Sequence, residues 1–165
     1  MATENLFSGV LTNRDATPRV KINSSLSGMM QAVVGTLECG TGDLGSTYRM
    51  VQVPSNCRID QILLYSDDLG TTGLADIGVY QTTENGSAVV DADFFASAVD
   101  MKAAALNGTD VTHESTVYGL EDAEKPLWQA LGLTADSNRM YDIVLTTTEA
   151  FQAAGTITLK VRYAV

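Results

Sequence analysis

The fold is decided by two runs near the end of the chain, 141–148 (YDIVLTTT) and 156–163 (TITLKVRY). Apolar and polar side chains alternate along both runs, and such alternation is typical of half-buried β-strands. The residues between them include Ala153-Ala154-Gly155, which are expected to form a turn. The sequence therefore predicts that the two runs pair as an antiparallel hairpin.

Similar short runs precede this pair along the chain. Strands are predicted at 32–38, 48–53, 58–65, 75–80 and 111–118, and Phe94 and Phe95 are expected to lead a further short strand. Turn-forming residues separate several of them, notably 67–73 (DDLGTTG) and Asn85-Gly86. Pro54 is expected to end the second strand, because proline cannot donate a hydrogen bond to the ladder.

Two segments are predicted to be helical. The segment 101–106 (MKAAAL) predicts a short helix that Asn107-Gly108 closes, and 121–131 predicts a second one that Gly132 ends. Acidic residues at the start of the second segment suit the positive end of a helix. Pro126 lies within it, so its regular part is expected to begin at Lys125 or Pro126.

Six to eight short strands with one or two short helices predict an all-β fold, an antiparallel jelly-roll-like sandwich. This sandwich is predicted to span residues 31–165. Residues 1–30 keep neither helical nor strand periodicity for long, and they are predicted to form an extended N-terminal arm.

The arm combines apolar anchors with basic charges, and this combination favours a docked segment over a free tail. We expect it to bind its own body, a sister protomer or another neighbouring subunit; the alternative is a flexible terminus. The candidate binding residues are Leu6, Phe7, Val10, Leu11, Arg14, Arg19 and Lys21.

The chain of 165 residues carries 20 acidic and 10 basic residues, a formal net charge of −10. This excess argues against direct binding to nucleic acid or to an anionic membrane surface, since both attract Lys and Arg. Residues 59–138 carry a net charge of −12, whereas each flank carries +1. The acidic middle is expected to be a solubilising face, or an outward surface held away from like-charged neighbours.

Targeting and cysteine chemistry give few signals. No apolar run approaches the ~18 residues of a membrane helix, and the N-terminus lacks the basic region of a signal peptide. Cys39 and Cys57 are therefore expected to remain thiols, although a bridge between them is possible. One histidine and the lack of a CxxC motif argue against zinc.

Catalytic candidates are equally few. His113 is the only histidine and no nucleophile motif accompanies it, so a structural or surface role within its predicted strand is expected. The run 40–45 (GTGDLG) matches GxGxxG, but a strand is predicted after it where a dinucleotide site needs a helix. Five carboxylates lie in or near predicted turns and are expected to shape those turns; calcium binding is the alternative, although the spacing is not that of an EF-hand. These carboxylates are Asp67, Asp68, Asp76, Asp91 and Asp93.

Taken along the chain, these runs and turns resemble the small capsid cement (decoration) proteins of tailed bacteriophages. The resemblance covers roughly residues 33–163. It rests on structural signatures of strands and turns and not on a chemical fingerprint. The stretches that carry it are 48–54 (YRMVQVP), 58–59, 63–64, 66–73 (SDDLGTTG), 76–80 (DIGVY), 90–96 (VDADFFA), 124–128 (EKPLW) and 159–163 (LKVRY).

The resemblance implies a jelly-roll-like protein that binds the outside of an assembled head and bridges neighbouring major-capsid subunits. Such a protein is a dimer or trimer, and it has no catalytic residues, cofactor or metal. It implies a location on the outer capsid surface of the virion, after synthesis in the host cytoplasm. Two other functions stay open: a β-sandwich carbohydrate-binding module of a phage fibre or cell surface, and a small hydrolase that uses the clustered carboxylates.

Overall fold

The computed structural model describes residues 16–18, 29–102 and 104–165. The described residues form eight strands, two 3₁₀ turns at Thr83–Asn85 and Leu120–Asp122, and one α-helical turn, α1, at Leu127–Ala130. No helix in this part of the chain is long and apolar enough to cross a membrane. The strands are β1 Met30–Cys39, β2 Thr47–Pro54, β3 Arg58–Ser66, β4 Leu74–Gln81, β5 Val89–Asp100, β6 Leu106–Asp110, β7 Met140–Glu149 and β8 Gly155–Ala164.

The strands form two four-stranded antiparallel sheets. The first sheet has the order β1-β8-β3-β6, and the second has the order β2-β7-β4-β5. Each of the first four strands therefore pairs with one of the last four in reverse order: β1 with β8, β2 with β7, β3 with β6 and β4 with β5. This is the strand order of a jelly roll, in which one long hairpin is rolled into a double sheet. The predicted antiparallel jelly-roll-like sandwich is confirmed.

The core lies between the two sheets and follows from the alternation seen in the sequence. Along β3, β7 and β8, about every second residue points inward and is buried, as in other β-sandwiches. The buried residues from these strands and β4 include Ile62, Leu64, Ile77, Val79, Ile143, Leu145, Ile157, Leu159 and Val161. Phe94, Phe95 and Tyr118 fill one part of this core with edge-to-face and tilted ring contacts.

The strands β7 and β8 exist as predicted, but the predicted hairpin between them is wrong. β7 belongs to the second sheet and β8 to the first, so residues 150–154 cross from one sheet to the other. Phe151 in this connection is 2% exposed and stacks on Tyr48, with 6.1 Å between ring centroids. The connection 150–154 therefore lies over the end of the core, and burial of the phenyl ring stabilises it there.

The region after the Asn85-Gly86 turn differs from the prediction in three ways. Phe94 and Phe95 lie within a twelve-residue strand, β5, and Asp91 and Asp93 belong to the same strand and not to a loop. The predicted helix at 101–106 is wrong: Met101 is buried, and Leu106 begins β6. A helix of six residues is too short to be stable without strong packing, so strand pairing of Leu106 opposite Ser66 prevails.

The predicted strand at 111–118 is also wrong: the segment forms turns, which isolated backbone hydrogen bonds and side-chain hydroxyls hold against β3 and β5. The amide of Ile62 donates to Thr112 Oγ1 at 2.7 Å, and Ser115 Oγ donates to the carbonyl of Phe94 at 2.6 Å. Such local hydroxyl bonds compete with regular pairing. His113 accordingly lies in a turn and not in a strand.

The predicted helix at 121–131 is confirmed only after Pro126. Leu120–Asp122 forms a 3₁₀ turn, and α1 begins at Leu127, immediately after the proline. Proline disfavours helical backbone in the residue before it, which explains the break. The GxGxxG run at 40–45 leads into β2 and not into a helix, as expected.

Both cysteines are free and buried. The Cys39 thiol donates to the carbonyl of Gly155 at 3.1 Å. Burial raises the pKa of the Cys57 thiol to about 12. Both groups therefore act as small core side chains with little thiolate character.

Candidate functional site

The antiparallel order gives the sandwich two chemically different ends. At one of them lie the first residues of β1 and β3 and the last residues of β6 and β8. The connections 55–57, 82–88 and 111–139 lie at the same place, and the N-terminal segment joins β1 there. We call this the arm end. The connections 40–46, 67–73, 101–105 and 150–154 lie at the opposite end.

Exposed apolar side chains are concentrated at the arm end. Leu120 is 78% exposed and Met29, the residue before β1, is 81% exposed. At the opposite end, the corresponding exposed residue is Leu44, at 71%. The large exposed apolar residues that lie in strand ends, connections or termini of the arm end are Met29, Met30, Val89, Val90, Val117, Leu120, Leu133, Met140 and Val165. Exposed apolar side chains concentrated at one end of a small domain make that end a candidate interaction surface.

A cleft lies beside Met30, the first residue of β1. It has a volume of about 200 Å³ and combines the apolar groups of Met30, Ile59 and Ala164 with His113. His113 Nδ1 lies 3.1 Å from the carbonyl oxygen of Tyr118, and the imidazole stacks on the tyrosine ring with 5.0 Å between centroids. The predicted structural role of His113 is confirmed by these contacts.

A second cleft of about 230 Å³ lies between β5 and the long connection 111–139. Val90 lines one wall, and Val117 and Leu131 line the other. Val90 and Val117 are 38% and 44% exposed. The walls of the two clefts also include Arg58, Asp60 and Asp91, so the clefts add concave surface of mixed polar and apolar character to the arm end.

Asp76 of β4 and Glu114 of the connection 111–139 both accept hydrogen bonds from the backbone of β5. Asp76 Oδ1 accepts a hydrogen bond from the amide of Ala98, and Glu114 Oε2 accepts one from the amide of Ser97, both at 2.7 Å. Ala98 has a left-handed φ of 53° and lies in a bulge of β5, so these carboxylates satisfy amides that the ladder leaves free. Their arrangement is structural.

Asp76 and Glu114 lie close to the carboxylates of β5, and these negative charges repel one another. Burial chiefly, and also the charges of Asp93 and Glu114, raise the pKa of Asp76. Burial and the adjacent Asp93 carboxyl raise the pKa of Asp91. The structure thus brings together three of the five predicted carboxylates, Asp76, Asp91 and Asp93.

Asp67 and Asp68 lie apart from this group, in the turn after β3. The amide of Gly70 donates to Asp68 Oδ1 at 2.9 Å, and the amide of Thr156 donates to Asp67 Oδ2 at 2.8 Å. The expected turn-shaping role of these two residues is confirmed. Among the described residues, no group of three or more His, Cys, Asp or Glu side chains could hold a metal ion.

The outer face of the second sheet is covered by its own side chains. Arg49 Nη1 donates to Asp142 Oδ2 at 2.5 Å, and the guanidinium lies 5.8 Å from the centre of the Tyr80 ring. The hydroxyls of Tyr80 and Thr146 are hydrogen-bonded at 2.7 Å. Tyr80 and Val144 are only 4% and 0% exposed. This face therefore offers little free apolar surface to a partner.

Aromatic side chains bear on the carbohydrate-binding alternative, since sugar sites stack a ring on an exposed aromatic face. Trp128 and all six tyrosines belong to the described residues, and each is buried or half-buried. Tyr118 and Tyr141 are 1% and 5% exposed. These placements give the carbohydrate-binding alternative no support.

The seven predicted arm residues, Leu6, Phe7, Val10, Leu11, Arg14, Arg19 and Lys21, lie outside the described residues. Their roles and the boundary of the arm stay predictions. The apolar surface of the arm end was missed from the sequence. Its members come from five separate segments, and each alone is an ordinary exposed Leu, Val or Met.

The described residues form an eight-stranded jelly roll, and a chain of similar fold occurs in a solved phage capsid. A chain in the capsid of Ralstonia phage GP4 has a TM-score of 0.58 and 12% identity, over 83% of this chain and 84% of that one. A chain in the cyanophage Pam1 capsid asymmetric unit has a TM-score of 0.47 and 16% identity, with 82% and 84% covered. A chain in the acid-stable capsid of Helicobacter pylori bacteriophage KHP30 has a TM-score of 0.41 and 15% identity, with 83% and 94% covered.

The likeness to the GP4 chain shows a common fold alone, since a sequence identity of 12% is too low to show a common function. No protein-family model and no curated protein matches the chain.

Proposed function

We propose that this chain is a structural virion protein of a tailed bacteriophage. In this proposal it binds the outside of an assembled capsid and holds neighbouring major-capsid subunits together, which stabilises the head against the pressure of packaged DNA. The observation that carries the proposal is the concentration of exposed apolar side chains at the arm end. The common fold with a chain of the Ralstonia phage GP4 capsid supports it.

The arm end has the chemistry of a contact surface. Full burial of a Leu, Val or Met side chain stabilises a complex by roughly 1.5–3 kcal/mol. Leu120, Met29 and Val117 are among nine such residues that are exposed at this end. A protein that occupies many identical sites on a particle needs only a few of these contacts at each site, because bridging two subunits adds avidity.

The arm extends this contact in the proposal. Leu6, Phe7, Val10 and Leu11 would be its apolar anchors, and Arg14, Arg19 and Lys21 would pair with acidic groups of the capsid or of a sister protomer. The chain from residue 1 to Met29 could span up to ~90 Å when extended. An arm of that reach can bind a subunit beyond the one beneath the sandwich.

The acidic groups suit exposure to solvent. Of the fourteen carboxylates between residues 59 and 138, nine are exposed: Asp60, Asp67, Asp68, Glu84, Asp100, Asp110, Glu114, Glu121 and Glu124. Six of these nine, Asp60, Glu84, Asp110, Glu114, Glu121 and Glu124, lie at the arm end, so in this proposal part of the acidic surface borders the capsid contact, and the remainder keeps neighbouring particles apart. The proposal gives the chain no enzymatic activity, cofactor or metal, and no direct contact with nucleic acid or membrane.

The test is co-sedimentation of the purified full-length chain with capsids that lack it. Leu120→Asp places a charge in the proposed contact and should weaken capsid binding at least tenfold, since a buried Leu contributes more than about 1.4 kcal/mol. Leu44→Asp is the matched control, because Leu44 is similarly exposed at the opposite end. Its binding should equal that of the unaltered chain. Deletion of residues 1–25 should also weaken binding.

Equal binding by the chain with Leu120→Asp and by the unaltered chain would show that the arm end is not the contact. Capsid binding unchanged by the deletion would refute the arm's role. Failure of the unaltered chain to bind any capsid, together with specific binding to glycans, would replace the proposal with the carbohydrate-binding alternative.

A further inference from the structure

The two sheets present four edge strands, β1 and β6 in the first sheet and β2 and β5 in the second. An edge strand carries a row of backbone amides and carbonyls that another strand can pair with. Proteins usually block such pairing with short strands, bulges, prolines or charges along the edge. The four edges of this sandwich can be compared by these features.

Three of the edges are protected. β2 ends in Pro54 and has a bulge at Met50, where its register with β7 shifts. β5 shifts register with β4 at three places and carries Asp91, Asp93 and Asp100. β6 has only five residues, shifts register with β3 and ends in Asp110.

β1 has none of these features over most of its length. It pairs with β8 over ten consecutive residues without a register shift, from Met30 opposite Ala164 to Cys39 opposite Gly155. Residues 30–37 (MQAVVGTL) contain no charge and no proline. Met30 and Val34 on this strand are 47% and 53% exposed. In a chain with a net charge of −10, this edge is an uncharged, regular surface for strand addition.

We propose that β1 pairs with β1 of a second copy, antiparallel across a two-fold axis, so that the two first sheets join into one eight-stranded sheet. The strand is self-complementary for such pairing. With the axis at Val34, the two Val34 side chains lie opposite each other and Met30 lies opposite Glu38 of the second copy, so no like charges face each other. The residues of β1 give no comparable reason to expect pairing with a strand of a different protein.

This inference does not rest on the proposed function, because the dimer forms in solution without a capsid. The measurement is the molar mass of the full-length chain over a range of concentrations, by sedimentation equilibrium. A dimer has twice the chain mass of 17.5 kDa. Hydrogen exchange is the second measurement. Amides of residues 30–37 should exchange slowly at concentrations where the dimer forms, and they should exchange faster on dilution.

Val34→Lys should shift the mass to that of the monomer and raise the dimer dissociation constant at least tenfold, because the two introduced ammonium groups lie near the axis. Val34→Thr, which keeps a β-branched side chain, should leave the dimer intact. Thr109→Lys is the matched control, since Thr109 is exposed on β6, the other edge of the same sheet. It should not change the mass. Circular dichroism verifies that each variant is folded.

Three results would overturn the proposal. A monomer at every concentration up to about 100 μM is one, and a dimer that Val34→Lys leaves unchanged is the second. The third is a trimer, because two-fold pairing of one edge stops at two copies. A dimer that is lost when residues 1–25 are deleted, with no concentration-dependent protection in 30–37, would assign self-association to the arm.

Discussion

Gly35 of β1 lies directly against the backbone carbonyl of Met50, the bulged residue of β2. A Cβ atom at Gly35 would overlap the carbonyl oxygen of Met50 and meet Val51 Cγ1 at 3.0 Å. The edge strands of the two sheets therefore touch at this point, and glycine is required there for space. The bulge of β2 and the absence of a side chain at Gly35 together close one side of the sandwich.

Gly35→Ala is expected to destabilise the fold by about 1–3 kcal/mol or more, because the overlap is with backbone and cannot be relieved by a rotamer change. Gly40→Ala is the control, since nothing lies within 4 Å of a Cβ at Gly40. It should change stability by less than ~1 kcal/mol. Urea unfolding measures both; equal midpoints for the two variants would contradict the close approach.

Tyr118→Phe is expected to leave the free energy of unfolding unchanged or to raise it. The Tyr118 hydroxyl is buried without a hydrogen-bond partner in the described structure, so its removal costs no bond and relieves a desolvated polar group. Tyr80→Phe is the matched change, because the Tyr80 hydroxyl is hydrogen-bonded to Thr146 Oγ1. It should cost roughly 1 kcal/mol. Thermal unfolding of both variants tests this prediction. A larger loss of stability for Tyr118→Phe than for Tyr80→Phe would show that the Tyr118 hydroxyl has a hydrogen-bond partner.

Asp93→Asn is expected to stabilise the protein at pH 7, because the Asp93 charge helps to raise the pKa of both Asp76 and Asp91. A carboxyl with a raised pKa in the folded state binds more protons folded than unfolded. Its contribution to stability therefore falls as pH rises from its ordinary value of about 4 through the raised pKa. Asp93→Asn should flatten this fall.

The control for Asp93→Asn is Glu84→Gln, which removes the same charge from an exposed residue. Urea unfolding at pH 4, 5, 6 and 7 should give a shallower decline for Asp93→Asn than for Glu84→Gln. Parallel curves for the two variants would mean that general charge reduction, and not relief at Asp76 and Asp91, causes the stabilisation.

Arg49→Lys is expected to cost about 1–2 kcal/mol, since the guanidinium binds several groups at once. Arg49 donates to Asp142 and to the carbonyl of Gln81 while it covers the Tyr80 ring. Arg162→Lys is the control: Arg162 pairs with Asp60 at 3.2 Å, and both side chains are nearly half exposed. Such a pair contributes little. Similar losses in chemical unfolding for both variants would argue against the network around Arg49.

The strands could be predicted because alternation reports a buried face directly. β1 to β4, β7 and β8 lie where the alternating runs place them, with ends within one or two residues. The partner of each strand could not be predicted, because pairing depends on contacts far apart in sequence. Phe151 illustrates this: the sequence offers a short link between two alternating strands, whereas in the structure Phe151 is buried against Tyr48 and the two strands lie in different sheets.

The arm end could not be predicted for a related reason. Its apolar residues have no common motif, and they come together only because antiparallel order brings alternate strand ends to one place. Leu120 and Leu44 look alike in the sequence, and the fold alone puts them at opposite ends. The arm residues Leu6 and Phe7 carry a signal in the sequence, yet their role remains to be measured.

The most direct test of the central claim is the copy number of this chain in intact particles purified from its source, relative to the major capsid protein. The proposed capsid role predicts a ratio near one, or a simple fraction set by a symmetry axis. A few copies per particle would place the chain in the tail or fibres instead. Complete absence from the particles would contradict the virion role itself.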